Sequence, residues 1–204
     1  MANPYQLTLK NNSVNPWTFY VYQKAPDHAA SNIFSLAWFA SPFTIATGTQ
    51  ITFDWTIEYG FVWGAVGDVI PGVTFNASDV VEGDLNDSNT IKFSNEDNTP
   101  SFSTPAKGSP SGSLVISADG SIPNNKFSVG LSVGGSPAFV MKAGPNLVHQ
   151  FTPTPTYYIA AGSEIKVGTI LDVTTVNPTQ QVIFPDNVYK LSYALGTDNR
   201  WVAI

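Results

Sequence analysis

Asp54 and Glu58 are the obvious carboxylate pair in this chain, and glycoside hydrolysis is the chemistry they suggest, since it takes a general acid and a second carboxylate facing one cleft. They lie on the polar side of an alternating run, so four residues of extended chain at ~3.3 Å each hold their backbones ~13 Å apart. Retaining enzymes need ~5 to 5.5 Å between the carboxyl groups and inverting ones ~6.5 to 9.5 Å, so cleavage would require the side chains to lean together. Solvated charge on a sheet face is the simpler reading. In a mixed reading Asp54 and Glu58, with Thr52 and Thr56, hydrogen-bond sugar hydroxyls and cleave nothing.

The two histidines set the limits of imidazole chemistry. His28 falls in a loop beside Asp27, and His149 shares strand parity with Leu147 and Phe151, which predicts a partly buried, hydrogen-bonded ring. Two histidines cannot build a three-histidine zinc site. The absence of cysteine removes thiol nucleophiles, disulfides and thiolate metal sites. No nucleophile elbow, His-Glu-x-x-His helix or dinucleotide fingerprint occurs. The glycines of residues 64–68 lack the strand-to-helix context that holds phosphate. Asp84, Asn86, Asp87, Asn89, Glu96, Asp97 and Asn98 crowd hard oxygen ligands into one stretch, but the Gly and closing Glu of a calcium loop are missing. Neither a metal nor any other cofactor is expected, and no residue is assigned a catalytic role.

Aromatic residues give the positive clue. Five Trp and eight Tyr exceed what one core usually requires, and amphipathic rings left over from a core favour stacking on sugars or apolar ligands. Strand parity sets Tyr20 and Tyr22 opposite Trp17, Phe19 and Val21, which makes them the expected outward-facing rings. The candidate ligand-binding set is therefore Tyr20, Tyr22, Asp54, Glu58, His28 and His149.

The elements that must carry these residues are strands. Residues 51–63 place Ile51, Phe53, Trp55, Ile57, Tyr59, Phe61 and Trp63 at every odd position, which predicts one long strand with a dry face. Further strand-like runs recur at 6–10, 18–22, 34–39, 73–76, 90–94, 113–117, 127–133, 138–142, 147–151, 157–160, 165–173, 181–184, 188–195 and 200–203, each bounded by Pro, Gly or Asn. Residues 25–31 could form one short helical turn. The 83–113 stretch reads as a long Asp-, Asn-, Ser- and Pro-rich connection with one edge strand. The runs at 113–117 and 127–133 read as a sandwich hairpin, too short for the ~9 to 11 residues of a membrane-spanning strand. The predicted fold is a single all-β domain over residues 1–204, an antiparallel β-sandwich of Greek-key or jelly-roll type with little helix.

Composition narrows the partners. Of 204 residues only 12% are charged, and nine basic against fifteen acidic side chains leave a net charge of −6. The polar surface is then mainly hydroxyl and amide, and nucleic acid is a poor partner. The N-terminal residues lack a secretory pattern and no run approaches the ~20 apolar residues of a membrane helix. We expect a soluble, cytoplasmic protein, with export by a signal-independent route left open. Exposed aromatics or sheet edges would also allow a homo-oligomer.

The N-terminal third carries a recognisable series of motifs: Leu-Thr-Leu-Lys-Asn-Asn-Ser, Phe-Tyr-Val-Tyr-Gln-Lys, Phe-Ser-Leu-Ala-Trp-Phe-Ala, and Phe-Val-Trp followed by Pro-Gly-Val-Thr-Phe. Over residues 5–82 the chain resembles the RhiA-like proteins of bacteria, named for a rhizosphere-expressed protein of rhizobia. The resemblance implies an abundant, soluble, density-dependent product of host-associated microbes, of no established biochemical role, and it brings no catalytic residue with it. Taken together, the residues point to a noncatalytic binding or interaction protein that recognises a carbohydrate or small apolar metabolite through aromatic, hydroxyl and amide side chains. The alternatives are an enzyme of secondary metabolism with a motif-free pocket and a self-assembling structural protein.

Overall fold

The computed structural model describes residues 4–24, 32–153 and 156–204. Among them are seventeen β-strands in four mostly antiparallel sheets, and no helix. This is the all-β class that the alternation predicts. The short turn expected at 25–31 lies outside the described residues. The first sheet orders β17 (Trp201–Ala203), β16 (Lys190–Leu195), β1 (Tyr5–Asn11) and β5 (Gln50–Trp55). The second orders β15 (Thr179–Val182), β14 (Tyr157–Gly162), β2 (Thr18–Gln23) and β4 (Phe39–Ala40). The third orders β3 (Phe34–Ser35), β12 (Ser136–Lys142), β11 (Ser128–Val133), β6 (Tyr59–Gly64) and β7 (Asp79–Gly83). The fourth orders β13 (Val148–Phe151), β10 (Leu114–Ala118), β8 (Thr90–Glu96) and β9 (Thr99–Phe102).

Aromatic contacts show which sheets face each other. Phe19 meets Trp201 at 5.0 Å between ring centroids and Trp55 meets Tyr157 at 5.2 Å, so the first and second sheets pack together. Trp63 meets Phe93 at 5.5 Å and Phe61 meets Phe102 at 6.3 Å, which pairs the third sheet with the fourth. Both ends of the sequence thus build one pair of sheets, and the middle of the sequence builds most of the other. One buried cluster runs through both, from Leu7 and Trp38 to Phe93 and Leu131.

The long strand expected at 51–63 is two strands. The chain leaves the ladder at 56–58, and β5 pairs with β1 while β6 pairs with β11. The alternation survives because Phe53 and Trp55 on one side of the break and Phe61 and Trp63 on the other enter the same core. A period-two pattern reports which way side chains point, not whether the backbone stays in one sheet.

Several strands are covered on both faces, β2 and β6 among them. On β2, Phe19 and Val21 enter the main core, while Tyr20 and Tyr22 pack with Ala37, Ala160 and Leu171. On β6, Val62 packs behind the sheet with Leu36, Phe75, Val140 and Ile170. The cover includes the segment 162–178. Its centre hydrogen-bonds on both sides: Gly168 N–H donates to Ala37 O at 2.9 Å and Leu171 N–H to Ser35 O at 2.9 Å, while Ile170 N–H reaches Val73 O at 2.8 Å. The strand expected at 165–173 is this short three-way strap. Gly168 has φ +82°, and a Cβ there would stand 2.3 Å from Phe75 O, so the close approach requires glycine.

The 83–113 connection is more ordered than its composition suggests. β8 runs parallel to β10, and β9 returns on β8 through Asp97 and Asn98, both with positive φ as a tight hairpin turn demands. Fully buried Asn89 fastens the rest: its Nδ2 donates to Pro110 O at 2.8 Å and Ser113 O at 3.2 Å, and its Oδ1 accepts from Gly108 N–H at 2.8 Å. The hairpin expected from 113–117 and 127–133 does not form. β10 and β11 lie in opposing sheets, where each finds longer-range partners.

Candidate functional site

The expected carboxylate pair is separated by the break at 56–58. Asp54 sits exposed on β5, where its Oδ1 accepts from Gln6 Nε2 at 2.8 Å, one row from the Thr8–Thr52 hydroxyl contact of 2.9 Å. Glu58 is exposed in the crossing between sheets, and its carbonyl accepts from Gly134 N–H at 2.7 Å. The two acids therefore do not share the strand face on which the sequence pattern places them.

Tyr20 and Tyr22 are not outward-facing. They are 3% and 2% exposed, and Tyr22 stacks on Tyr158 at 5.3 Å and shares a 3.0 Å hydroxyl contact with Thr179. Burial raises both phenol pKa values, so both stay protonated. Parity correctly sets them opposite Phe19 and Val21, but covering residues that include Leu171 and Val173 turn that second face into a smaller core.

His149 is buried at 2% exposure on β13, in the row of Ile116, and neither ring nitrogen has a hydrogen-bond partner among the described residues. The sequence reading expects a hydrogen-bonded ring; the structure has a neutral one, its pKa pushed down by burial. His28 lies outside the described residues. In the acidic stretch, Asp84 Oδ1 accepts the N–H groups of Asn86 at 2.8 Å and Asp87 at 3.0 Å, and Lys107 Nζ bonds Asp87 at 2.8 Å. These oxygens serve local turns. Among the described residues no group of three or more His, Asp or Glu could hold a metal ion.

The site that the tertiary structure does assemble is a solvent-open pocket of about 300 Å³ at one end of the first pair of sheets. Tyr5 opens β1, Ile57 comes from the crossing after β5, Thr156 precedes β14 and Tyr157 begins it, and Gln181, Val182, Ile183 and Phe184 end β15 and continue beyond it. Antiparallel pairing of β14 with β15 puts Tyr157 directly opposite Val182, and pairing of β1 with β5 puts Tyr5 opposite Trp55. Four separate chain segments thus converge.

An aromatic tetrad backs the pocket. Tyr5, Trp55, Tyr157 and Phe184 contact one another in all six combinations, with centroids from 4.9 Å (Tyr5–Phe184, edge to face) to 6.5 Å (Tyr5–Tyr157). Tyr189 adds a fifth ring 5.4 Å from Tyr5. Burial pushes the Tyr157 hydroxyl up to about 12, with the Trp55 indole pulling it the other way. The buried Trp55 N–H nevertheless makes no hydrogen bond of good geometry among the described residues. Tyr157 at neutral pH is a hydrogen-bond donor and not a base.

The described residues that line the pocket carry no charge. They offer phenol, hydroxyl and amide groups beside Ile57, Val182, Ile183 and Phe184, an arrangement suited to binding a neutral molecule by stacking and hydrogen bonds. The sequence reading counts all eight Tyr among the surplus aromatics but singles out none of Tyr5, Thr156, Tyr157, Gln181 and Phe184 as a site residue. The only signal for Tyr5 is its parity with Leu7 and Leu9, and nothing local to it announces a pairing 50 residues away.

Comparison with known proteins gives the family. The RhiA family model matches residues 2–203. The chain is 49% identical over 197 residues to "Protein RhiA" of Rhizobium leguminosarum bv. viciae, covering 97% of this chain and 84% of that protein. No solved structure matches. The likeness read over residues 5–82 extends through nearly the whole chain, and the protein belongs to the RhiA family.

Proposed function

We propose that this RhiA-family protein is a noncatalytic binding protein that takes a small uncharged molecule, a carbohydrate or an apolar metabolite, in the pocket of Tyr5, Tyr157, Gln181 and Phe184. The observation that carries the reading is the union of an aromatic wall with uncharged hydroxyl and amide groups in one solvent-open pocket. Stacking supplies affinity there and the polar groups supply orientation. The described lining residues include no carboxylate, imidazole or amine, and the raised Tyr157 phenol holds its proton, so the arrangement supports binding rather than proton transfer.

Isothermal titration of the purified protein with neutral sugars and with the apolar fluorophore N-phenyl-1-naphthylamine tests this. Saturable binding that Phe184→Ala weakens at least tenfold, with no conversion of the bound molecule, is the expected result. Turnover of a bound molecule, or binding that Phe184→Ala leaves unchanged in a folded variant, would overturn it.

A further inference from the structure

We infer that the occupant of the pocket is a neutral glycan, one sugar unit of which rests against the partly exposed rings of Tyr5 and Phe184 while the remainder extends into solvent; this rests on the binding role proposed above and narrows it to one ligand class.

The tetrad itself sets the first constraint. A planar ring held between two aromatic rings needs about 7 Å between their centroids, twice the ~3.5 Å contact distance of carbon atoms. The widest spacing among Tyr5, Trp55, Tyr157 and Phe184 is 6.5 Å, and Tyr5 and Phe184 are already in edge contact at 4.9 Å. The tetrad therefore has no slot for a flat aromatic guest, and its rings are too close together to enclose a quaternary ammonium as a cage does. What it presents to the pocket is a one-sided wall. A pyranose needs only that, because one face of C–H bonds packs on the ring while its hydroxyls point outward.

The polar groups set the second constraint. The phenols of Tyr5 and Tyr157, the hydroxyl of Thr156 and the amide of Gln181 each combine donor and acceptor capacity, which matches the dual character of sugar hydroxyls. With no cation among the described lining residues and a net charge of −6, an acidic sugar would lose hydration without gaining a counter-charge. A neutral sugar loses little.

Openness sets the third. An apolar metabolite gains most when nearly all its surface leaves water, whereas this pocket keeps one side in solvent. Exposed Ile183 stands at the rim, where a second sugar unit would pass. An occupant that is wet at one end and stacked at the other is the end of a chain of sugars or a single free sugar.

The test is titration of the whole protein with neutral tetrasaccharides of glucose and of mannose, their monosaccharides, tetragalacturonate and N-phenyl-1-naphthylamine. Tyr5→Phe and Gln181→Ala serve as variants, since each removes hydrogen-bonding capacity at a partly exposed position. We expect a neutral tetrasaccharide to bind, each variant to weaken it about fivefold to tenfold, as the loss of one or two hydrogen bonds predicts, and the urea midpoint to stay within error of the parent. Stronger binding of the tetrasaccharide than of its monosaccharide assigns the site to a chain end; equal binding assigns it to free sugar; both support the inference. Binding of the fluorophore with no displacement by any neutral sugar would overturn the glycan assignment and leave the binding role standing. Tetragalacturonate binding as tightly as the neutral sugars would overturn it too. No binding of any probe would overturn both.

Discussion

The indole N–H of Trp38 donates to the carbonyl oxygen of Val133 at 2.9 Å, across 95 residues of sequence. Trp38 also stacks on Tyr157 at 5.8 Å, so one fully buried side chain ties the first pair of sheets to the end of β11 in the second. Trp38→Phe would remove that buried hydrogen bond and part of the packing volume of the ring. The expected cost is about 1–3 kcal/mol, read as a lower urea midpoint at unchanged m-value. Trp17→Phe, which removes a half-buried indole bonded to the Ser13 hydroxyl, should cost less than half as much.

Acid should destabilise the fold through His149. Its folded pKa lies below the ordinary value because burial penalises the cation. The unfolded chain therefore takes up the proton first, and stability falls as pH drops from about 6.5 toward the lowered folded value. Urea titrations between pH 8 and pH 5 should show this slope, and His149→Leu should remove it while raising stability at neutral pH. An unchanged slope in that variant would refute the assignment. Asp84 and Asp119 act in a lower window. The backbone N–H groups of Asn86 and Asp87 hold the Asp84 carboxyl below its usual value, and Ser121 does the same for Asp119. Their contributions are present above the unfolded carboxyl value and are lost as pH falls through the folded one.

Gly168 and Gly48 share φ +82°, but a Cβ at Gly48 would meet nothing within 4 Å. Gly48→Ala should cost the left-handed backbone penalty alone, about 1–2 kcal/mol. Gly168→Ala adds a clash with the Phe75 carbonyl and should cost about 2–5 kcal/mol in total. The difference between the two variants in denaturant midpoint measures how firmly the 162–178 strap is held.

Asn89→Ala deletes the three hydrogen bonds that fasten residues 108–113 and takes the amide donor from the buried Ser113 carbonyl. About 2–4 kcal/mol should be lost, with faster hydrogen exchange at Gly108 and Gly112. Asn86→Ala, in the same stretch but exposed and accepting from the Ser111 hydroxyl, should stay within about 0.5 kcal/mol of the parent.

Asp54→Asn and Glu58→Gln should change neither stability by more than about 0.5 kcal/mol nor any binding in the aromatic pocket. Both acids are exposed and neither is among the lining residues. Loss of binding in either variant at unchanged stability would move the site from the tetrad to the outer face of β5.

The sequence shows its period-two pattern clearly and its strand partners hardly at all. Phe53, Trp55, Phe61 and Trp63 announce burial from one short window, and all four are buried. The transfer of the chain from one sheet to another at Thr56 to Glu58 has no local marker, because a strand end inside an alternating run costs no change of side-chain direction. Tyr20 and Tyr22 mislead for the opposite reason. Their parity is correct, but what covers their face arrives from Leu171 and Val173, about 150 residues later. β9 is hidden by its sequence Thr-Pro-Ser-Phe, since a proline is tolerated only where a ladder has a free edge.

What the sequence determined alone is the class of structure and the chemical character of its surface: alternating apolar residues can be satisfied only by faces of sheets, and a chain poor in charge and free of cysteine must present hydroxyls, amides and rings. What only the tertiary structure decided is which rings remain accessible. Tyr5 and Phe184 keep part of their surface open in a pocket while Tyr20 and Tyr22 are sealed, and the distinction depends on contacts between residues far apart in sequence. Side-chain direction is a local property of the backbone, whereas exposure depends on what the rest of the chain lays over it.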